Sequence, residues 1–242
     1  MKRIIISVLI IISVSLLFFF VKDIFFNKEA TNTFHLPLSG KIIYLDPGHG
    51  GPDGGADNGK AVEKDIALSI SKKLRDYLQG QGALVLMTRE SDVDLADEGT
   101  RGLSRRKVQD LHRRAKMINE SEAEFFVSIH LNSIPSSKWS GAQTFYNPRF
   151  VENKVAAQFI QEELIDNLEN TTRKAKAIDS VYLVKTVKKP GVLVEAGFLS
   201  NPTERDLLLM DDYQEKVAVS IYEGIMRFFT DEKEERLKEE TE

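Results

Sequence analysis

The sequence predicts an α/β fold in which one sheet is covered by helices on both faces. Short runs of branched apolar residues alternate along the chain with longer segments of helical period, which is typical of such sheets. The chain of 242 residues is 42% apolar and 29% charged, a composition of globular rather than disordered proteins. Residues 40–230 are therefore predicted to form a single domain with its own core.

An apolar segment precedes this domain. Lys2 and Arg3 are followed by the uncharged residues 4–21, which as a helix would reach roughly 27 Å, close to the thickness of a bilayer's hydrocarbon core. Such a segment is either a signal peptide or an anchor, and no small-x-small cleavage triplet follows it. Residues 1–22 are therefore predicted to be a signal anchor, a transmembrane helix whose basic end is cytoplasmic, so that the rest of the chain lies outside.

Two further segments flank the domain. Residues 23–39 are mixed and aperiodic, as in a spacer between a membrane and a domain. Residues 231–242 hold seven acids and three bases, and they account for the whole formal net charge of −4. They are interpreted as a charged tail that is either a solvated helix end or disordered.

Charge balance and cysteine usage exclude several classes of function. The 33 basic and 37 acidic residues leave the body of the chain neutral, without the clustered Lys and Arg that bind phosphates. No nucleic-acid partner is therefore expected. Because the sequence holds no cysteine, disulfides, thiolate zinc sites and cysteine nucleophiles are excluded as well.

Six strands and five helices are predicted within the domain. The strands are the short apolar runs rich in branched residues, at 41–45, 83–88, 124–129, 142–146, 181–185 and 192–195. The helices are the longer segments of helical period, at 63–79, 104–119, 152–168, 203–210 and 213–229. Asn201, Pro202 and Thr203 form a start signal for the fourth helix.

The chemically unusual residues follow the strands at their carboxyl ends. The first strand runs into a loop with His49, the third delivers His130 and the last delivers Glu195, while Glu63 begins the first helix. Open α/β sheets bind ligands beyond the carboxyl ends of their strands, so these side chains are expected to converge. Imidazole and carboxylate suit zinc, three ligands leave a position open for water, and a fourth group is free to act as a base.

Each of these residues also has a non-catalytic interpretation. His49 alone could be a turn residue, His130 a hydrogen-bonded core histidine, and Glu63 an acid favoured by the helix dipole. Glu195 is harder to explain in this way, because a carboxylate at the end of a buried strand is costly without a partner. The coincidence of all four favours a shared site.

The glycine-rich segment around His49, GHGGPDGG at residues 48–55, also resembles a phosphate-binding loop. It lacks the Lys-Ser/Thr pair of a P-loop and the spacing of a dinucleotide fold. Its glycines are better explained as turns, or as places where the backbone passes close to a site. Asp46, which precedes this segment, is expected to orient the His49 ring.

Four sequence blocks carry a resemblance to a known family. LDPGHGG at residues 45–51, Glu63, SIHLNS at residues 128–133 and VEAGFLSN at residues 194–201 resemble the signature blocks of the zinc-dependent N-acetylmuramoyl-L-alanine amidases, the type called Amidase_3. The four blocks occur in order, and the resemblance extends over residues 41–229. It implies a six-stranded mixed sheet with helices on both faces.

The resemblance also implies the roles of individual residues. His49, Glu63 and His130 would bind one zinc ion per chain, and Glu195 would be the catalytic carboxylate. The reaction would be hydrolysis of the amide bond between N-acetylmuramic acid and L-alanine in peptidoglycan. Asn132 is a candidate substrate-binding residue, with a turn-forming role as the alternative.

The form of the chain resembles one group within this family, the germination-specific, CwlD-type amidases of spore formers. The turn after His130 is short, the stretch 91–119 is long, and one anchor accompanies one catalytic domain without wall-binding repeats. This resemblance implies a role in forming the muramic δ-lactam of the spore cortex and in germination. It implies an extracytoplasmic location, membrane-anchored or secreted, in the forespore intermembrane space.

The expected partners are peptidoglycan glycan strands with stem peptides, and the membrane through the N-terminal helix. Whether a protein partner activates the enzyme is left open. The alternative functions are a general cell-wall amidase, and a zinc peptidase or deacetylase with the same metal site. A non-catalytic wall-binding module would be expected to have lost Glu195 or a ligand, and the sequence retains all of them.

Overall fold

The computed structural model of the protein describes residues 13, 15–18, 36–230 and 232–241. Of the predicted anchor, only residues 13 and 15–18 are described, and they are helical. The rest of the anchor, and residues 23–35 of the predicted spacer, lie outside the described residues. Within the described part of the chain, no helix is long and apolar enough to cross a membrane.

The described residues form a six-stranded mixed sheet, as predicted. Its strands are β1 (Ile42–Pro47), β2 (Leu84–Met87), β3 (Phe125–Asn132), β4 (Gln143–Tyr146), β5 (Lys176–Ala177) and β6 (Gly191–Phe198). They lie in the order β2-β1-β3-β6-β4-β5. The neighbours from β2 to β6 are parallel, β4 is antiparallel to β6, and β5 is parallel to β4. The carboxyl ends of β1, β3 and β6 therefore meet at one edge.

Helices cover both faces of this sheet. They are α1 (Glu63–Gly80), α2 (Leu103–Glu120), α3 (Val151–Leu168), α4 (Tyr182–Thr186), α5 (Pro202–Leu208), α6 (Asp211–Phe228) and α7 (Glu232–Thr241). On one face, α6 packs against α1 and α3, while α2 and α4 pack together on the other. The predicted start of α5 is confirmed, because Asn201 accepts hydrogen bonds from the main-chain nitrogens of Thr203 and Glu204.

The alternation of side chains along the strands divides the core between the two faces. Ile43 and Val127 lie in the larger cluster with α1, α3 and α6, whereas Tyr44 and Phe126 lie in the smaller cluster with α2 and α4. Burying each such side chain contributes about 1.5–3 kcal/mol before the loss of conformational entropy is counted. Because both faces are covered, the strands are apolar on both sides, and the polar groups collect at their ends.

One predicted strand is wrong. Residues 182–185 lie in the short helix α4, with Val181 at its N-cap, and the sixth strand of the sheet is instead β5, which the sequence did not indicate. Leu183 and Val184 are both buried, which explains why the run is apolar. A single helical turn buries these side chains as well as a strand would. A five-residue apolar run cannot be assigned to strand or helix from its periodicity.

The charged tail forms a helix over its described residues. In α7, Arg236 donates to Glu162 at 2.9 Å, Glu240 pairs with Lys154 of α3, and Leu237 packs against the edge of the larger core cluster. Over the described residues, the structure therefore agrees with the helical interpretation of the tail and not with disorder. Helix α7 packs against α3 through the pairs of Arg236 and Glu240, and Glu232 at its start pairs with Arg227 of α6.

Candidate metal centre

Three of the predicted site residues come together at the carboxyl edge of the sheet. His49 lies in the loop after β1, His130 is on β3, and Glu63 is the first residue of α1. One ligand atom from each lies within 4.8 Å of the others. Glu63 Oε1 lies 2.9 Å from His130 Nδ1 and 3.2 Å from His49 Nε2. Two imidazole nitrogens and one carboxylate oxygen therefore face a common point.

The Glu63 carboxylate is held in place by the main chain. Ala56 N donates to Oε2 at 2.8 Å, and Leu131 N donates to Oε1 at 3.0 Å. Burial acts to raise the pKa of Glu63, but its contacts with His130 and His49 outweigh burial and hold the pKa well below its usual range. The group is therefore an anion at neutral pH.

Two glycines make room for this cluster. A Cβ atom at Gly48 would lie 2.5 Å from Cε1 of His130, and one at Gly55 would lie 2.5 Å from Oε2 of Glu63. Both distances are far below van der Waals contact. The glycines near His49 thus allow the backbone to pass close to the site, as the sequence predicted. His49 itself has a left-handed backbone, with φ of 60°.

Asp53 orients the His49 ring. Nδ1 of His49 donates to Oδ2 of Asp53 at 2.9 Å, and Lys107 lies 3.1 Å from the same oxygen. Nε2 of His49 is thereby turned toward Glu63. Burial acts to lower the pKa of His49, but the carboxylates of Asp53 and Glu63 outweigh burial and raise it to about 9 in the metal-free site.

The expectation that Asp46 orients His49 is wrong. Asp46 is buried under the loop, where it accepts hydrogen bonds from Thr88, Ser128 and Arg114 at 2.7, 2.6 and 2.9 Å. Burial acts to raise the pKa of Asp46, but the charge of Arg114 and the two hydroxyl groups lower it. Its carboxylate is bonded to these three side chains, whereas the His49 ring is bonded to Asp53.

Glu195 lies beside the three clustered residues. It is paired with His130 on the neighbouring strand, and its Oε2 atom is buried without a hydrogen bond partner among the residues that the structure describes. Burial raises the pKa of Glu195 to about 7, and the nearby Glu63 adds to the effect while positive charge on His130 opposes it. Glu195 is therefore poised to exchange a proton near neutral pH.

Two cavities adjoin the cluster, and both include His49 and His130 in their walls. The polar cavity is also lined by Glu195, Asn132 and Ser133. The second cavity lies between α2 and α4, where apolar side chains such as Leu111 and Leu183 line it together with Lys107. The structure thus places Asn132 in the wall of the same cavity as Glu195.

Three residues around the site were not singled out from the sequence. Asp53 lies four residues after His49, a short enough spacing for it to have been considered. Arg89 and Arg114 are both buried, and they donate to the main-chain carbonyls of Pro47, Gly48 and His49 itself. Nothing in their sequence context distinguishes these two arginines from surface ones.

Known proteins resemble the chain over most of its length. The family model for N-acetylmuramoyl-L-alanine amidase (Amidase_3) matches residues 43–227. The germination-specific N-acetylmuramoyl-L-alanine amidase of Bacillus subtilis (strain 168) is 62% identical over 216 residues, which cover 89% of this chain and 91% of that protein.

Solved structures show the same similarity. The CwlD amidase from Clostridioides difficile, determined in complex with the GerS lipoprotein, is 43% identical with a TM-score of 0.76, and the match covers 78% of this chain and 98% of that one. The catalytic domain of CwlV, an N-acetylmuramoyl-L-alanine amidase from Bacillus (Paenibacillus) polymyxa var. colistinus, is 29% identical with a TM-score of 0.68, covering 78% and 97%. The chain therefore belongs to the Amidase_3 family of N-acetylmuramoyl-L-alanine amidases, and within it is similar to the germination-specific, CwlD-type enzymes.

Proposed function

We propose that this peptidoglycan amidase uses one zinc ion, bound by His49, Glu63 and His130, with Glu195 as its catalytic carboxylate. The observation that carries the proposal is the meeting of the three ligand atoms within 4.8 Å, beside a carboxylate with an unpartnered oxygen. Two neutral imidazoles and one carboxylate are a donor set that fits zinc and leaves a position open. When bound there, zinc would polarise the scissile carbonyl and stabilise negative charge on its oxygen.

Glu195 performs the proton transfers in this proposal. As the carboxylate it takes a proton from the water that attacks the carbonyl carbon. It then gives that proton to the L-alanine nitrogen as the amide C–N bond breaks, so that the amine leaves neutral and Glu195 is again ionised. Burial raises the pKa of Glu195, which suits both steps because the group must accept and release a proton within one cycle.

The substrate is proposed to lie across the polar cavity. Asn132 is in its wall with Glu195, and its amide can donate to a substrate oxygen as well as accept. We assign Asn132 to substrate binding on this placement. The glycan and the stem peptide would then be held on the two sides of the scissile bond, close to Glu195.

The biological role proposed is removal of stem peptides during formation of the spore cortex, a step that precedes closure of the muramic δ-lactam. The 62% identity with the germination-specific relative from Bacillus subtilis supports this role. Such a role requires the domain to act outside the cytoplasm, and we propose that it does so in the forespore intermembrane space with residues 1–22 as its anchor. The complex of the CwlD relative with the GerS lipoprotein supports a protein partner for this chain also.

The reaction is tested by digesting purified peptidoglycan and analysing the products by mass spectrometry. We expect stem peptides with a free L-alanine amine, together with glycan whose muramic acid carries a free lactyl carboxyl group. Products cut within the peptide would indicate a peptidase, and loss of acetyl groups would indicate a deacetylase. Either result would contradict the proposed bond specificity.

The biological role is tested by deleting the gene in the organism that carries it. We expect normal vegetative growth, but spores whose cortex lacks muramic δ-lactam and which fail to complete germination. Restoring the wild-type gene should restore the lactam, while restoring a Glu195→Gln copy should not. A normal lactam content in the deletion spores would favour the alternative of a general cell-wall amidase.

A further inference from the structure

We propose that Arg89 is a positioning residue that fixes the separation between His49 and Glu63. The inference rests on the proposed metal centre, whose ligands these two residues are. Arg89 follows the edge strand β2, and only 3% of its surface is exposed. It belongs to neither of the segments that carry the two ligands, yet it is bonded to both.

One nitrogen of Arg89 joins the two segments. Nη2 donates to the carbonyl of Gly48 at 2.8 Å and to the carbonyl of Lys64 at 2.8 Å. Gly48 directly precedes His49, and Lys64 directly follows Glu63. A single rigid group therefore sets the distance between the loop after β1 and the first turn of α1.

The remaining donors of Arg89 extend the same arrangement. Nε donates to the carbonyl of Pro47 at 3.1 Å, and Nη1 donates to the carbonyl of Ser91 at 3.1 Å. Gly50 permits this approach, because a Cβ atom there would lie 2.9 Å from Cδ of Arg89. The loop that carries His49 is thus wrapped around the arginine side chain.

The electrostatic setting of Arg89 argues against a purely stabilising role. Its hydrogen bonds go to main-chain carbonyls, and no carboxylate within residues 36–230 and 232–241 lies within ion-pair distance of it. Arg114, close by, is paired with Asp46 and Asp110 instead. Burial and the charge of Arg114 lower the pKa of Arg89 to about 10. A buried cation without an ion pair is costly for stability, so stability alone does not account for its presence.

Arginine is suited to this task and lysine is not. The guanidinium group is planar, and its donors point in fixed directions, so it holds several carbonyls at set positions. The ammonium group of lysine carries all three donors on one rotatable nitrogen. Arg89→Lys therefore keeps the positive charge but loses the fixed spacing between the two segments.

The test is the affinity for Zn²⁺, measured by competition with a chelator on the full-length protein and its variants. We expect Arg89→Lys to bind Zn²⁺ about 10- to 100-fold more weakly than wild type, the usual effect of losing a group that orients metal ligands. The absorption spectrum of the Co²⁺-substituted protein should change, because the ligand arrangement changes. The matched control is Arg75→Lys, since Arg75 lies on α1 and its ion pairs among the described residues are with the exposed side chains of Asp76 and Glu90. It should leave both measurements unaltered.

A comparison variant separates positioning from stability. Ile221→Val truncates a fully buried side chain on α6 in the larger core cluster, and it should lower the melting temperature without changing the affinity for Zn²⁺. Arg89→Gln is the second variant at the site itself, because its side chain is two atoms shorter and carries one donor nitrogen instead of three. Melting temperatures of the metal-free proteins identify the folded variants.

Three results would overturn the inference. Wild-type affinity for Zn²⁺ in folded Arg89→Lys or Arg89→Gln would show that the ligands do not depend on Arg89. Weakened Zn²⁺ binding in Ile221→Val, in proportion to its loss of stability, would show that the affinity for Zn²⁺ follows the stability of the whole fold. Failure of both Arg89 variants to fold would show that Arg89 is required for folding rather than for positioning the ligands. If wild type itself bound no Zn²⁺, the proposed metal centre would fail instead.

Discussion

His130 and Glu195 are paired residues on the adjacent parallel strands β3 and β6. Because residues opposite each other in a sheet point to the same face, the proposed ligand and the proposed base project together. The register shifts immediately beyond this pair, so that Asn132 is matched with Phe198. Such an irregularity is typical of strands beside active sites, where it re-aims side chains and ends the pairing.

The ligand assignment predicts that His49→Ala and His130→Ala lose the metal. Purified wild-type protein should hold about one zinc ion per chain, and each variant should retain only a small fraction of it, because two ligands do not hold zinc tightly. Elemental analysis after dialysis measures this content. His112→Ala is the control, since His112 is exposed and stacks on Tyr182. Full zinc content in both ligand variants would contradict the assignment.

Glu195→Gln should separate binding from chemistry. The amide keeps the shape of the side chain but cannot accept the proton of the attacking water, so kcat should fall by about two or more orders of magnitude. The zinc content should stay at the wild-type level. Release of stem peptides from peptidoglycan measures the rate. A variant with nearly wild-type kcat would show that the base is another residue.

The pH dependence of the amidase should report Glu195. With a pKa of about 7, the group is an active base above neutral pH and is progressively protonated below it, so kcat/KM should fall on the acid side by about tenfold per pH unit. Bound zinc adds positive charge and lowers this pKa, which moves the inflection toward lower pH. The residual activity of Glu195→Gln should lack the inflection.

In the metal-free protein, Glu195→Gln should increase stability at alkaline pH. The pKa of Glu195 is higher in the folded protein than the ordinary value of 4.5, so folding disfavours its ionised form. The cost is absent below about pH 4.5, grows between pH 4.5 and 7, and is complete above pH 7. Urea unfolding should therefore show a gain of at most about 3 kcal/mol at pH 8 and no gain at pH 4. The control is the exposed Glu122→Gln, which should change the free energy of unfolding at neither pH.

Asp46→Asn should destabilise the fold strongly. It removes the charge that compensates the buried Arg114 and leaves that guanidinium with Asp110 alone, so the free energy of unfolding should fall by about 3–5 kcal/mol. Glu124→Gln removes the exposed partner of Lys41 and should cost at most about 1 kcal/mol. Denaturant unfolding at neutral pH compares the two. Equal losses would show that burial of the Asp46 pair does not matter.

Much of the architecture could be predicted because it depends on local patterns. The sheet, the long helices and the meeting of His49, Glu63 and His130 follow from apolar periodicity and from the rule that strand ends share an edge. Helix α4 could not be separated from a strand, because a five-residue apolar run satisfies either structure.

The residues that support the site were harder to predict, because their contacts are distant in sequence. Asp46 is closer along the chain to His49 than Asp53 is, yet the loop directs Asp53 toward the ring. Arg89 lies 41 residues from Gly48, and Arg114 lies 65 residues from His49. Only the three-dimensional arrangement shows that these two arginines are buried.

The left-handed backbone at His49 limits how this centre could be redesigned. Besides glycine, asparagine and aspartate tolerate such a conformation well, whereas β-branched and bulky residues do not. Of these three, only aspartate offers an anionic ligand atom. A change of metal preference through position 49 would therefore replace nitrogen by oxygen, toward the harder donor sets that suit manganese or magnesium.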